Sequence, residues 1–345
     1  MRLPIAPLGV GGDAMTLEPP VTTSAVAVDL TAVVIAVSED TPVVLVRRPE
    51  AGGRAALPAG PLQAEHGTLQ AGLRSWVERQ TDLGLGYVEQ LYTFGDRSRP
   101  ADDPARGDGG RRLSIAYLAL VPPLDTAVGR APDPRTAWMP WYDAFPWEDL
   151  RSDPEPWRAR LRSALAAWGS AAPKGLKAAR TERVRLTFGD ESSDWDAERA
   201  LERYELLYEA GLVPEAAWDA GQTPATEVLD GAGRPLAIDH RRILATAVSR
   251  LRGKIKYRPV LFELLPETFT LLRLQRTAEA ISGVALHKPN FRRLVAQQGL
   301  VEDTGQMEAE TGGRPAKLVR FRRDVISERP APGVRATATR RGSYP

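Results

Sequence analysis

Two stretches of this sequence hold residues able to do chemistry. The first holds Asn290, Arg292, Arg293 and Gln297, interleaved with Phe291, Leu294 and Val295. At helical spacing the three apolar residues share one face, and the four polar residues spread over the rest. Arg pairs with guanine, and Asn or Gln with adenine, in the DNA major groove, so this face suits base reading. Lys288 opens the same stretch. Further on, Gly312-Gly313-Arg314-Pro315 and Lys317 place basic groups at a glycine-shaped loop within reach of a minor groove or a phosphate. Base reading and phosphate contact are open to each of these side chains, and a solvated helix face is the plain alternative.

The second stretch runs from Gly60 to Asp82. It carries Arg74, Glu78 and Arg79 over a helical segment, so one carboxylate stands beside guanidinium groups. A magnesium ion asks for several hard oxygen ligands in octahedral array. This set suits the binding of a phosphate, with Arg79 as a fixed counter-ion, better than the holding of a metal.

Composition narrows the classes. The chain has 345 residues, no cysteine and three histidines (His66, His240, His287) far apart in sequence. Disulfides, thiolate metal sites and cysteine nucleophiles are excluded, and no metal site is expected. No apolar run of about 18 residues is present, so no membrane span is expected and the cytoplasm is the default compartment. The net charge of +2 hides an asymmetry. Residues 236–345 carry 21 Lys or Arg against 10 Asp or Glu, and residues 1–235 carry 25 against 34. A basic C-terminal third points to nucleic acid or an anionic surface.

The elements that must position these groups follow from periodicity. Residues 21–48 read as two strands of a hairpin joined by SEDTP. A Gly/Pro-rich loop leads to a helix from Thr68 to about Asp82 with Leu69, Leu73, Trp76 and Val77 on one stripe. Strands are expected at Tyr87–Phe94 and Arg111–Leu120. A helix is expected over 153–170, and RVRLTFG reads as a strand. Residues 194–210 form a helix ended by Gly211. The C-terminal block opens with a helix from Asp239 to Leu251, with Gly253 just past its end. Helices at Thr270–Ile281 and Pro289–Gln298 follow, and then a hairpin, LVEDT and AKLVRFR. That order is the order of a winged helix.

Gly60, Arg74, Trp76 and Glu78 match the Nudix box, G-x5-E-x7-R-E-U-x-E-E-x-G-U, with U apolar. His66, Ser75 and Arg79 stand where that box has glutamates, and Thr81 where it has glycine. With LVRRPE, LPAGP and VEQLYTFGDRSR around it, and with KIKYRPVLFELLPETF, LHKPNFRRLVAQQGLVEDTG and TGGRPAKLVRFRR beyond, the chain resembles the Nudix-related transcriptional regulators of NAD biosynthesis, the NrtR and NadQ groups. The longer NadQ-like members match the segment 153–235 better.

The resemblance implies an α+β chain in five parts. These are a disordered lead-in (1–20), a Nudix-like α/β/α sandwich (21–152), a helical connector (153–235), a winged helix-turn-helix (236–327) and a disordered tail (328–345). It implies a homodimeric regulator, with repression expected. The sandwich senses ADP-ribose, NAD or ATP without cleaving it and needs no cofactor. The winged helix binds double-stranded operator DNA. Arg47, Arg48, Arg74, Glu78, Arg79 and Arg112 are the implied ligand contacts, with Phe94 as the aromatic for adenine. The DNA contacts are Lys288, Asn290, Arg292, Arg293, Gln297, Arg314 and Lys317. The rival readings are a working Nudix hydrolase of ADP-ribose-type substrates with an accessory DNA-binding domain, and a regulator of an unrelated sugar or nucleotide pathway.

Overall fold

The computed structural model describes residues 26–48, 53–81, 83–95, 112–122, 134–151, 156–189, 195–225, 231–308, 315–329 and 332–334. Its centre is β1 (Ala27–Ser38), whose residues 30–37 are all buried. A strand apolar on both sides must be covered on both faces. It lies in a sheet of order β4 (Tyr87–Phe94), β5 (Arg112–Leu120), β1, β2 (Thr41–Arg47), β6 (Thr136–Pro140), and β3 (Ala59–Pro61) also pairs with β1. β1 and β5 run parallel, and the other pairs are antiparallel. The β1–β2 hairpin closes on Glu39 and Asp40, with φ of 46° and 59°. Two left-handed residues are what a two-residue primed turn demands.

One sheet face (Leu30, Ala32, Val34, Leu45, Tyr117) is covered by α1 (Leu69–Thr81) through Leu73 and Val77. The other (Val33, Ile35, Val44, Leu118) meets α2 (Trp141–Ala144), Phe145, Trp147 and, from far along the chain, the helix His240–Lys254. Between them lie α3 (Pro156–Ser170), α4 (Lys177–Phe188), α5 (Ala200–Glu209) and α6 (Pro214–Asp219), so His240–Lys254 is α7. Drawn from sequence, the winged-helix block opens with this helix. In the structure its apolar side lies in the core of the sandwich, with Ile243, Leu244, Ala247, Val248 and Leu251 fully buried.

The segment RVRLTFG is helical, not a strand. Val184 and Phe188, one turn apart, pack on the core, and Glu182 and Arg185 pair at i,i+3 on the solvent side. Gly253 lies inside α7 instead of ending it. It is buried, and a Cβ there would meet the end of the Glu198 side chain at 2.9 Å.

The C-terminal part comprises a 3-10 turn (Pro259–Leu264), β7 (Thr268–Thr270), α8 (Leu271–Ser282), α9 (Lys288–Gln298), β8 (Val301–Glu308), β9 (Ala316–Phe321) and α10 (Val325–Glu328). β7 pairs with β9 and makes the wing a three-stranded sheet, an addition to the expected hairpin. Residues 332–334 are held in place, against the expectation of a disordered tail from 328. Val334 is buried, its N–H donates to the Ile255 carbonyl at 2.6 Å, and Gly333 lies against the backbone of Lys256 and Tyr257. The lead-in 1–20 lies outside the described residues.

Candidate nucleotide site and nucleic-acid interface

The Nudix-like loop is built around Trp76. Its indole lies flat on Gly60, where a Cβ would come within 2.2 Å of the ring, and its Nε1–H donates to the Pro61 carbonyl at 2.9 Å. Gly60 is therefore needed for close approach. His66 accepts the Gln63 N–H on Nδ1 at 3.1 Å, and its ring packs on Gly72. It closes its own loop. Thr68 caps α1, its hydroxyl accepting the Ala71 N–H at 3.0 Å. At the far end Thr81 donates to the Val77 carbonyl at 2.6 Å and accepts the Leu83 N–H at 3.3 Å. That stops the helix where the box has glycine.

The charged groups of α1 divide. Arg74 donates to the carbonyls of Leu85 and Gly86 and fixes the turn into β4. Glu78 is exposed. Arg79 lies over the Trp76 ring, 4.3 Å from its centroid, and donates to the Ser75 carbonyl at 3.2 Å and to Gln63 Oε1 at 3.5 Å. Among the described residues no three His, Asp or Glu side chains converge as a metal site. The divalent cation that Nudix chemistry uses does not fit here: of positions 75, 78 and 79 only Glu78 is a carboxylate, and a guanidinium lies next to it.

Strand register decides what can converge. Arg47, the last residue of β2, bridges to Ala56 just before β3, Gly60 pairs with Leu30, Phe94 reaches Asp29 through Ser114, and Arg112 pairs with Ala27. These four residues share one end of the sheet. Arg74 sits at the other end, because β4 begins opposite Leu120, which pairs with Ile35. Arg112 holds Asp29 at 3.0 Å. Arg48 is exposed beside Arg47. Phe94 is packed into the core, whereas Tyr92, in edge contact with it at 5.8 Å, is 66% exposed and is an aromatic open to solvent at this end. The adjoining loop is fixed from behind by the start of α7: His240 Nδ1 accepts the Leu57 N–H at 3.0 Å, and the Ala237 N–H donates to the Ala55 carbonyl at 2.8 Å.

In the C-terminal part α9 begins with Pro289 at its first turn and ends at Gly299 in the left-handed region. Phe291 and Val295 are buried and Leu294 is half-buried, while Lys288, Asn290, Arg292, Arg293 and Gln297 are exposed. The spacing argument placed all of these correctly. Arg293 donates to Asn290 Oδ1 at 3.3 Å. The turn before α9 is held by residues that periodicity does not single out. Glu279 accepts the Leu286 N–H at 2.8 Å, and Gln275 donates to the Leu286 carbonyl at 3.2 Å. On the wing, Lys317 pairs with Asp303 at 2.9 Å and holds that exposed carboxyl below its usual range. Arg314 lies outside the described residues.

Also unforeseen is a buried ionic cluster between the sandwich and α8. Glu148 receives Arg203 at 2.6 and 2.9 Å and is also bound by Arg252, all three being almost wholly buried. Burial would raise the Glu148 carboxyl, but the facing Arg203 and Arg252 hold it below the usual range. Arg252 donates further to the Ile281 carbonyl at 2.8 Å, and Tyr142 donates to Ala280 at 2.6 Å. The end of α8 is thereby tied to the sandwich. Glu148 sits in a Trp- and Pro-rich segment, PWEDL, where nothing in the spacing marks a partner.

Residues 261–321 match the sequence model of the NrtR DNA-binding winged helix domain. They are an NrtR-type winged helix. Over 86 residues the chain is 43% identical to the ADPR responsive transcriptional repressor NtrR of Acinetobacter baylyi. That alignment covers 25% of this chain and spans about a third (34%) of the relative's length. Over most of its length the chain shares the fold of two solved structures, a sandwich followed by a winged helix. Shewanella oneidensis NrtR complexed with a 27mer DNA superposes with a TM-score of 0.53 at 21% identity, covering 90% of this chain and 99% of that one. A second structure of Shewanella oneidensis NrtR gives 0.52 at 21% identity, over 87% and 96%.

Proposed function

We propose that this chain is a nucleotide-responsive transcriptional repressor of NAD-biosynthesis genes. The observation that carries it is the polar face of α9, fully exposed on an NrtR-type winged helix. The name of the Acinetobacter relative, an ADPR responsive repressor, and the DNA bound to the Shewanella protein support the reading. Two copies reading two half-sites of a palindrome give the homodimer. The effector is ADP-ribose, NAD or ATP, bound at the sheet end where Arg47, Arg48, Arg79 and Tyr92 are available to phosphates and adenine, beside Arg112 in its pair with Asp29. No helix among the described residues is long and apolar enough to cross a membrane. The site of action is the cytoplasm, with the chromosome.

Replacing Arg293 with Ala weakens operator binding by about 1–3 kcal/mol, roughly five- to 150-fold, and relaxes selectivity at one base position. Nucleotide affinity and melting temperature stay as in the parent. Titration of both proteins on selected and single-base-changed duplexes checks this, and equal binding would remove α9 from the reading face.

The sandwich binds its nucleotide and does not cleave it, since Ser75, Arg79 and His66 supply no carboxylate and His66 is committed to its own loop. With ADP-ribose or NADH and magnesium or manganese, phosphate release stays at background. Turnover within the usual enzymatic range of about 1–1000 per second, removed by Glu78→Gln, would establish the hydrolase instead.

A further inference from the structure

The helices α3 and α4 form a hairpin over residues 156–189 that carries eight Arg or Lys and one acidic residue, Glu182. It lies within the otherwise acidic first 235 residues, which hold 34 Asp or Glu against 25 Lys or Arg. Part of this charge is engaged. Arg183 pairs with Glu209, Arg185 with Glu182, and Arg180 lies over Trp168 at 4.2 Å. Arg160, Arg162, Lys174 and Lys177 are exposed.

The root of the hairpin is fixed close to the winged helix. Arg203 donates to the carbonyl of Thr187, at the end of α4, at 2.9 Å. The same guanidinium binds Glu148, which binds Arg252, which holds Ile281 at the end of α8. Hairpin and helix-turn-helix therefore stand on one buried anchor. From it α4 extends its twelve residues, about 18 Å.

We propose that this hairpin is a second DNA-contacting surface, taking the phosphate backbone of the duplex that flanks the sequence read by α9. The proposal rests on the reading of the winged helix as a DNA binder. Residues 156–189 contain no Asn or Gln to read bases. Among their described residues no aromatic side chain is exposed for stacking on single strands. What they offer is exposed positive charge on α3, at Arg160 and Arg162, and where the hairpin turns, at Lys174 and Lys177. Duplex DNA carries one phosphate charge per about 1.7 Å of its axis, so such a surface meets several phosphates without sequence preference.

The test uses the full chain and a duplex that it selects from random sequence. One duplex holds the selected core alone, and another has about ten base pairs, one helical turn, added on each side. The longer duplex binds about tenfold tighter at 0.1 M salt or below, with a salt dependence steeper by about 0.9 per phosphate neutralised. Replacing Arg160, Arg162, Lys174 and Lys177 together with Gln abolishes that gain and leaves core binding and melting temperature unchanged. Equal binding of the two lengths by the parent overturns the proposal while the winged-helix reading stands, and that comparison does not depend on the variant folding. If the chain selects no duplex, both readings fall. If the variant keeps the length gain and loses only self-association in sedimentation, the hairpin contacts another copy of the chain and the proposal is wrong.

Discussion

Glu148→Gln lowers the free energy of unfolding by about 3–5 kcal/mol. Among the described residues the carboxylate is the one that bridges Arg203 and Arg252, which are 0% and 1% exposed. Without it two guanidinium groups remain buried beside a neutral amide, and desolvation is no longer offset. Against the 5–15 kcal/mol that usually separates folded from unfolded chains, the loss is large. Its pH dependence has a definite sign. The folded Glu148 carboxyl lies below its ordinary value, so its contribution is complete at neutral pH and is lost only as pH falls below the ordinary glutamate value of about 4.3. Denaturant titrations at pH 7 should show the full gap between parent and variant. Below about pH 4 the gap should narrow as the parent loses the same charge. A gap under 1 kcal/mol at pH 7 would mean that the cluster is no anchor.

Gly283→Ala costs about 3 kcal/mol or more and weakens operator binding as well. Gly283 ends α8 with φ of 73° and ψ of 14°, a conformation that costs an L-residue about 1–2 kcal/mol. A Cβ there would lie 2.2 Å from the Glu148 carbonyl oxygen, a backbone atom that cannot swing aside. The Gly283 carbonyl also accepts the Leu150 N–H at 2.6 Å. The strain must move the start of the turn that aims α9. Hydrogen exchange of α9 amides should rise in the variant, and DNA affinity should fall while nucleotide affinity holds. Unchanged stability would show that the close approach relaxes without cost.

What sequence could show, and what it could not, divides by the range of the interaction. Strand alternation, helix stripes and the glycines at 211, 283 and 299 are local signals, and those elements stand where spacing puts them. The partition of α9 into Phe291 and Val295 inside and Arg292 and Arg293 outside needed only the 3.6 period. RVRLTFG misled because its alternation fits a strand, whereas α3 and α5 provide helical partners. Phe94 and Arg74 matched family positions, but register buries the first and carries the second to the opposite end of the sheet. Glu148, Arg203 and Arg252 are separated by 55 and 49 positions, and nothing local announces that they meet.

One helix connects the two ends of this molecule. α7 starts with His240 on the loop beside the candidate nucleotide site and finishes with Arg252 on the last turn of α8. Fifteen residues make a rod about 22 Å long. Gly253, its one glycine, is buried under Glu198 near the far end, so the rod has no joint between the two contacts. A displacement of the 53–58 loop is then shared with the base of the DNA-reading turn as a tilt or a slide of the whole helix. Thermodynamic reciprocity gives that geometry a number: the factor by which nucleotide changes operator affinity is the factor by which operator changes nucleotide affinity.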